Sequence, residues 1–208
     1  MYRAKAFGED DPAVLRQIMR DARLATLVTA TPDGLVATAL PMCLADEGPH
    51  GVLYGHVAKA NAQWTLPVTG DALAIFTGPN AYVTPSWYAA KQAHGKVVPT
   101  WNYLAVHAYG PVEFFADEDR LYQVVTTLTN QHEGSRPEPW AVTDAPDDFI
   151  RALLRAIVGV RLPLTRIEGT RKLSQNRPAA DRAGVIAGLS QSDRDDDRAI
   201  AALIPKGD

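Results

Sequence analysis

Apolar positions along the chain recur in two periods, and the changes of period mark most of the elements. Val14, Leu15, Ile18, Met19 and Ala22 fall on one face of a helix. Asp11-Pro12 supplies its start, an acidic cap followed by a residue whose missing N–H costs nothing in the first turn. Ala25 to Ala30 and Leu35 to Leu40 are Thr-rich and β-branched. Thr31-Pro32-Asp33-Gly34 between them is turn chemistry, so residues 25–40 predict a hairpin. Val52–Tyr54 and Leu73–Phe76 read as strands, with a short helical piece at Lys59–Trp64. A single long β segment is expected from Trp101 to Phe115, from the alternation around Val106, Ala108 and Val112.

The clearest long helix runs from Asp117 to Glu133, with Leu121, Val124, Val125 and Leu128 inward and Gly134 as its stop. Pro146 opens another, with Phe149, Ile150, Leu153 and Leu154 expected inward. Gly159–Ile167 predicts a returning strand, and Pro178–Leu189 and Asp195–Ile204 predict helices. Residues 134–145 carry the weakest signal. Five to seven short strands with helices at the periphery predict a mainly β, α+β architecture: a β-barrel with appended helices.

Composition narrows the function classes. Of 208 residues, 46% are hydrophobic and 22% charged, which is ordinary for a globular chain with a substantial core. The formal net charge of −3 gives no global support to a nucleic-acid role. Cys43 is the only cysteine, so no intrachain disulfide forms; between Met42 and Leu44 it reads as a buried, inert thiol. The N-terminus has no apolar signal core, and no apolar run approaches the ~20 residues of a membrane span. A cytoplasmic protein is expected.

Phosphate-loop, dinucleotide and nucleophile-elbow motifs are absent, and the five histidines lack zinc spacing. No metal site and no catalytic residue are assigned. The acidic run Asp193, Asp195, Asp196 and Asp197 reads as a solvated helix start.

Three segments carry candidate chemistry. Tyr82–Tyr88 and Val97–Tyr103 interleave tryptophan and tyrosine with Ser, Thr, Asn and Pro. Such residues can hold a flat, partly polar ligand, though read alone they are strand-end packing. Gly55–Trp64 leaves a strand for a helical turn and carries Lys59 and Asn61, so a cation and free backbone N–H groups could hold a phosphate. Arg171–Arg177 offers three cations, a hydroxyl and two amides for an anionic or heterocyclic ligand. Each of the last two, taken alone, also reads as an exposed polar turn.

Taken together, these segments resemble the PaiB family of FMN-binding transcriptional regulators. The matching pieces are Ala25–Thr29, Ala37–Pro41, Gly55–Asn61, Ala74–Pro79, Tyr82–Tyr88, Gly95–Tyr103 and Lys172–Arg177, in family order over residues 1 to about 190. The two aromatic motifs and Lys172-Leu173-Ser174-Gln175-Asn176 are the specific ones. The resemblance implies an FMN-binding split β-barrel over 1–190, with 191–208 as a charged helix or tail. It implies a homodimer packed barrel to barrel, with the flavin in a groove at the subunit interface and its phosphate by His56–Asn61. It makes FMN the cofactor and His56, Lys59, Asn61, Ser86, Trp87, Tyr88, Trp101, Asn102, Lys172, Ser174, Gln175 and Arg177 its candidate contacts. Lys59 stands where the family commonly has Arg, keeping the charge without the bidentate fork. Thr170-Arg171 replaces a frequent Lys-Trp, and Ala62 a frequent proline.

The family's regulatory role is carried by the resemblance. No helix-turn-helix with a basic face is evident, and Arg171, Lys172, Arg177 and Arg182 are the only basic candidates for DNA. A flavin-dependent oxidoreductase is the alternative, since the cofactor brings its own chemistry. A haem-handling split barrel, with His56 or His107 as axial ligand, is the third reading.

Overall fold

The computed structural model describes residues 1–207, which form ten strands and six α-helices. The strands are β1 (Gly8–Glu9), β2 (Ala25–Thr31), β3 (Gly34–Leu40), β4 (Met42–Ala45), β5 (Val52–Ala58), β6 (Ala72–Val83), β7 (Thr100–Gly110), β8 (Glu113–Phe115), β9 (Ile157–Pro163) and β10 (Arg166–Lys172). The helices are α1 (Pro12–Asp21), α2 (Ala89–His94), α3 (Glu118–Glu133), α4 (Asp147–Leu154), α5 (Ala179–Ser190) and α6 (Asp195–Leu203). The chain divides into two compact units. One comprises Met1–Ile18, Thr77–Val106 and the chain from Glu168; the other comprises Met19–Phe76 and His107–Ile167.

The second unit begins with the expected hairpin. β2 and β3 pair antiparallel from Ala25↔Leu40 to Thr31↔Gly34. Gly34, at φ 127°, takes the backbone conformation that a side chain would resist. Ala25, Leu27 and Thr29 alternate into the core, and the free edge of β2 pairs with the start of β6, Ala25 opposite Phe76. A four-stranded sheet follows in the order β4-β5-β9-β8. β5 and β9 pair along their full lengths, from Val52↔Pro163 to Ala58↔Ile157. α3 lies over this sheet, and Leu121, Val124 and Leu128 join Cys43, Phe115, Ile150 and Leu154 in one apolar cluster. Asp117 caps the helix by accepting from the Arg120 N–H at 2.9 Å.

In the first unit β1 pairs with β10, Gly8 opposite Thr170. α6 packs on α5 by burying Ile200, Ala201 and Ile204 against Val185 and Leu189. Two buried charges fasten this helical layer. Asp181 accepts from the Ala90 N–H at 2.9 Å. Arg182 donates to the carbonyls of Pro205 at 3.1 Å, Arg177 at 2.7 Å, and Gly207. A buried guanidinium met by carbonyls avoids the cost of an orphaned charge.

Four expectations are corrected. The segment 101–115 is two strands, because Gly110-Pro111 ends β7 and β8 joins the other sheet. The return after α4 is also two strands, interrupted at Leu164-Thr165. The strand at 52–54 continues to Ala58 and that at 73–76 to Val83. On α4 only Ile150 and Leu154 face the core, while Phe149 and Leu153 are exposed. Four apolar residues over six positions form two stripes, and the core takes one. Among the described residues no helix is long and apolar enough to cross a membrane.

Candidate functional site

The candidate residues fall into two clusters, one in each unit. In the second unit, the chain leaving β5 is fixed by its own backbone. Lys59 N–H donates to Ala156 O at 2.8 Å and Asn61 N–H to Ala58 O at 2.9 Å. A 3-10 turn, Ala62–Thr65, then starts under Asn61. The Asn61 Oδ1 accepts from Gln63 N–H at 2.9 Å, and its Nδ2 donates to the Thr38 hydroxyl at 2.9 Å. Gln63 is buried and ties the turn to the β2–β3 hairpin, donating to Leu27 O, Thr29 Oγ1 and Val36 O at 3.0–3.3 Å. Trp64 Nε1 closes the loop onto Lys59 O at 2.9 Å.

Lys59 is thereby held by its main chain while its side chain stays exposed and forms no ion pair among the described residues. The expectation of free loop amides is met in part: those of Lys59, Asn61 and Gln63 are already committed, while those of Ala60 and Ala62 have no partner among the described residues. The Lys59 ammonium is the cation this loop offers to an anion. His56 lies elsewhere in the unit. Its ring lines a cleft with Pro41, Val125, Leu128, His132, Glu133 and Trp140 on the α3 side. Its buried Nδ1 has no partner, and burial lowers its pKa.

In the first unit the structure brings Tyr88, Asn102, Lys172, Ser174, Gln175 and Arg177 together. Asn102 is fully buried; its Nδ2 donates to Ser174 Oγ at 2.9 Å, and that hydroxyl lies 3.2 Å from Asn102 Oδ1. Ser174 sits at φ 58°, the one left-handed non-glycine among the described residues. Gln175 Oε1 accepts from Leu173 N–H at 2.6 Å, and Nε2 donates to Arg171 O. Lys172 Nζ donates to the Thr100 hydroxyl at 2.6 Å and lies 5.8 Å over the Phe7 ring. Burial, and then the neighbouring Arg177, lower the Lys172 pKa. Arg177 stacks 4.8 Å from the Tyr88 ring. The Tyr88 hydroxyl is buried beside Arg177, and burial, the larger influence, pushes its pKa up.

The aromatic run divides. Trp87 is packing: a methyl group at Gly188 would lie 2.3 Å from its indole, and one at Gly184 would lie 1.9 Å from its carbonyl oxygen. Ser86 is exposed and accepts from Lys91 Nζ at 3.1 Å. Trp101 is half exposed, donates to Asn80 Oδ1 at 3.0 Å and tilts against Tyr82 at 6.0 Å. The basic residues read as a DNA candidate are partly engaged within the unit. Arg182 is buried on carbonyls, Arg171 pairs with Glu9 at 3.1 Å, and Arg177 is stacked. Among the described residues no three His, Cys, Asp or Glu are placed to hold a metal.

Sequence reasoning missed Thr38, Gln63 and Thr100. Thr38 and Thr100 are ordinary strand threonines in sequence, and Gln63 looked like part of a short surface helix. Their roles arise from tertiary placement, for which no local signal exists.

A family model described as "Putative FMN-binding domain" matches residues 1–166. The protease synthase and sporulation protein PAI 2 of Bacillus subtilis is 31% identical over 98% of this chain and 96% of its own length. An uncharacterised protein of Emericella nidulans is 32% identical, again over 98% and 96%. Among solved structures, the flavocytochrome Anf3 from Azotobacter vinelandii superposes with a TM-score of 0.58 at 14% identity, over 82% of this chain and 72% of that one. A conserved hypothetical protein, Rv2991, from Mycobacterium tuberculosis gives 0.57 at 15% identity over 86% and 94%. The fold is that of the split-barrel flavin-binding proteins.

Proposed function

The chain belongs to this family of FMN-binding domains, and from that premise we propose that it acts as a PaiB-like, flavin-linked sensor that negatively regulates transcription. FMN is its cofactor. The residues suit such a group. Lys59 presents an exposed ammonium outside any ion pair among the described residues, on a loop whose backbone is already fixed. That arrangement suits a phosphate, because neither ordering the loop nor breaking a salt bridge opposes the contact. Asn61 is assigned a supporting part, holding the loop through Thr38 and Gln63. Asn102, Ser174 and Gln175, whose side chains already bond one another or the backbone, are assigned a supporting part in the other unit, beside the cations Lys172 and Arg177. When bound, FMN supplies redox chemistry of its own.

Regulation rests on the near full-length likeness to the Bacillus protein, whose name concerns protease synthesis and sporulation. A homodimer is part of the proposal. Tyr82 and Trp101, each about half exposed, and exposed Val98 give one unit an aromatic face that a second copy could bury. Light scattering should then give twice the 22.5 kDa chain mass.

The reading is tested by loading the protein with FMN, recording its absorbance, and comparing transcripts in cells that lack the chain with cells carrying Lys59→Ala. Derepression of the same genes in both supports a flavin-linked regulator. Unchanged transcripts beside a retained flavin spectrum would remove regulation and leave FMN binding intact.

A further inference from the structure

The second unit contains a cleft that shares no residue with either candidate cluster. It opens beside α3 and the strands β4 and β5, with a volume of about 230 Å3. Its floor is apolar: Cys43, Phe115 and Val124 are buried there, with Leu44 and Ala45 alongside. Its rim is polar and internally paired. Tyr54 OH donates to Glu47 at 3.1 Å and accepts from Arg161 Nε at 3.3 Å. Glu113 joins Arg161 at 3.5 Å to Arg120 at 2.7 Å, and Arg120 lies 3.8 Å over the Phe115 ring.

The formal charges around the mouth balance in number: Glu113 pairs with Arg120 and Arg161, and Glu47 bonds the Tyr54 hydroxyl. The two arginines hold the Glu113 carboxyl below its ordinary range, and Arg120 is the larger influence. Burial pushes the Cys43 thiol up, so the floor carries no thiolate. The side-chain amide of Gln123, at the rim, forms no hydrogen bond among the described residues. An apolar floor with a few convergent polar groups is the ordinary form of a small-molecule site. A cavity of roughly 150 Å3 already admits benzene.

We propose that this cleft is a second ligand site, and that it takes a neutral, single-ring molecule bearing a hydroxyl or amide. The ring lies on Cys43, Val124 and Phe115; its polar group meets Gln123 and the Tyr54–Glu47 pair. A charged ligand is disfavoured, because Glu113 already joins Arg120 to Arg161 and Glu47 already accepts from the Tyr54 hydroxyl, so an added ion would break one of these contacts.

The test uses the full chain loaded with FMN and four probes of one size: benzyl alcohol, benzamide, benzoate and benzylammonium. Calorimetry and ligand-observed NMR read binding. The reaction of Cys43 with dithiodipyridine reads occupancy of the floor, since it is the only thiol in the chain. The alcohol or the amide should bind saturably and slow the thiol reaction, and both ions should bind more weakly. Val124→Trp fills the floor and should weaken binding at least about tenfold, and Gln123→Leu, at an exposed position, by ~2- to 10-fold. FMN titrations should be unchanged in both variants, which separates this site from the cofactor's. No saturable binding of any probe at millimolar concentration overturns the proposal, as does a preference for benzoate or benzylammonium. Should Val124→Trp fail to fold, Gln123→Leu decides: binding and thiol protection left at the parent level place the probe elsewhere.

Discussion

The loop at Lys59 and the cluster around Asn102 and Ser174 are equally polar in sequence, yet they spend that polarity in opposite ways. In the loop, the amides of Lys59, Asn61 and Gln63 and the side chains of Asn61 and Gln63 are consumed in holding shape, and one cation is left exposed. Around Ser174 the side chains satisfy one another inside the unit: Asn102 with Ser174, Lys172 with Thr100, and Gln175 with its neighbouring backbone. A polar residue is available to a ligand only where its hydrogen bonds are not already committed. The first region should therefore respond to mutation in ligand affinity, and the second in stability.

The largest expected effect is at Gly184. A side chain there meets the Trp87 backbone, which cannot swing aside as a side-chain tip can. Gly184→Ala should cost ~1–3 kcal/mol or more, read as a lower midpoint in chemical denaturation; a wild-type midpoint would show that Trp87 is not packed on α5. Asn102→Ala leaves the buried Ser174 hydroxyl without a partner, for a loss of ~1–3 kcal/mol. At about 2–4 °C per kcal/mol for a chain of this size, the thermal shift is easily resolved. Restored stability in the double variant Asn102→Ala/Ser174→Ala would confirm the pairing, and additive losses would break it.

His56 should give a smaller effect, visible only against pH. Burial holds its imidazole below the ordinary value, so the unfolded chain takes up the proton first as pH falls. Its contribution to stability is full above about pH 6.5 and is lost as pH drops through the folded value. His132 and Glu133 face the same cleft. His56→Gln should lose less stability than the parent between pH 7.5 and pH 5, and an equal loss in both would exclude the histidine. Lys59→Ala should leave denaturation unchanged, completing the contrast.

Much of the architecture was legible because its signals are local. The Asp11-Pro12 start of α1, the Thr31–Gly34 turn and the Asp117 cap of α3 each satisfy a backbone requirement within a few residues. α2 escaped because six residues, Ala89–His94, are too few for a period. The split at Gly110-Pro111 was overridden by the alternation on either side, and nothing local tells that β7 and β8 join different sheets. In the candidate site, residue types were legible and their commitments were not. Nothing in Tyr82–Tyr88 announces that Gly184 and Gly188, about a hundred residues on, receive Trp87. Nothing near Asn61 announces that Gln63 will reach three acceptors on a hairpin.

The central claim, that the exposed Lys59 ammonium reads a phosphate, is tested most directly by titrating parent and Lys59→Ala apoproteins with FMN and with riboflavin. A charge-assisted contact of ~1.5–3 kcal/mol predicts FMN weakened by ~10- to 150-fold and riboflavin, which lacks the phosphate, almost unchanged. Equal losses for the two ligands, or none for FMN, would contradict it.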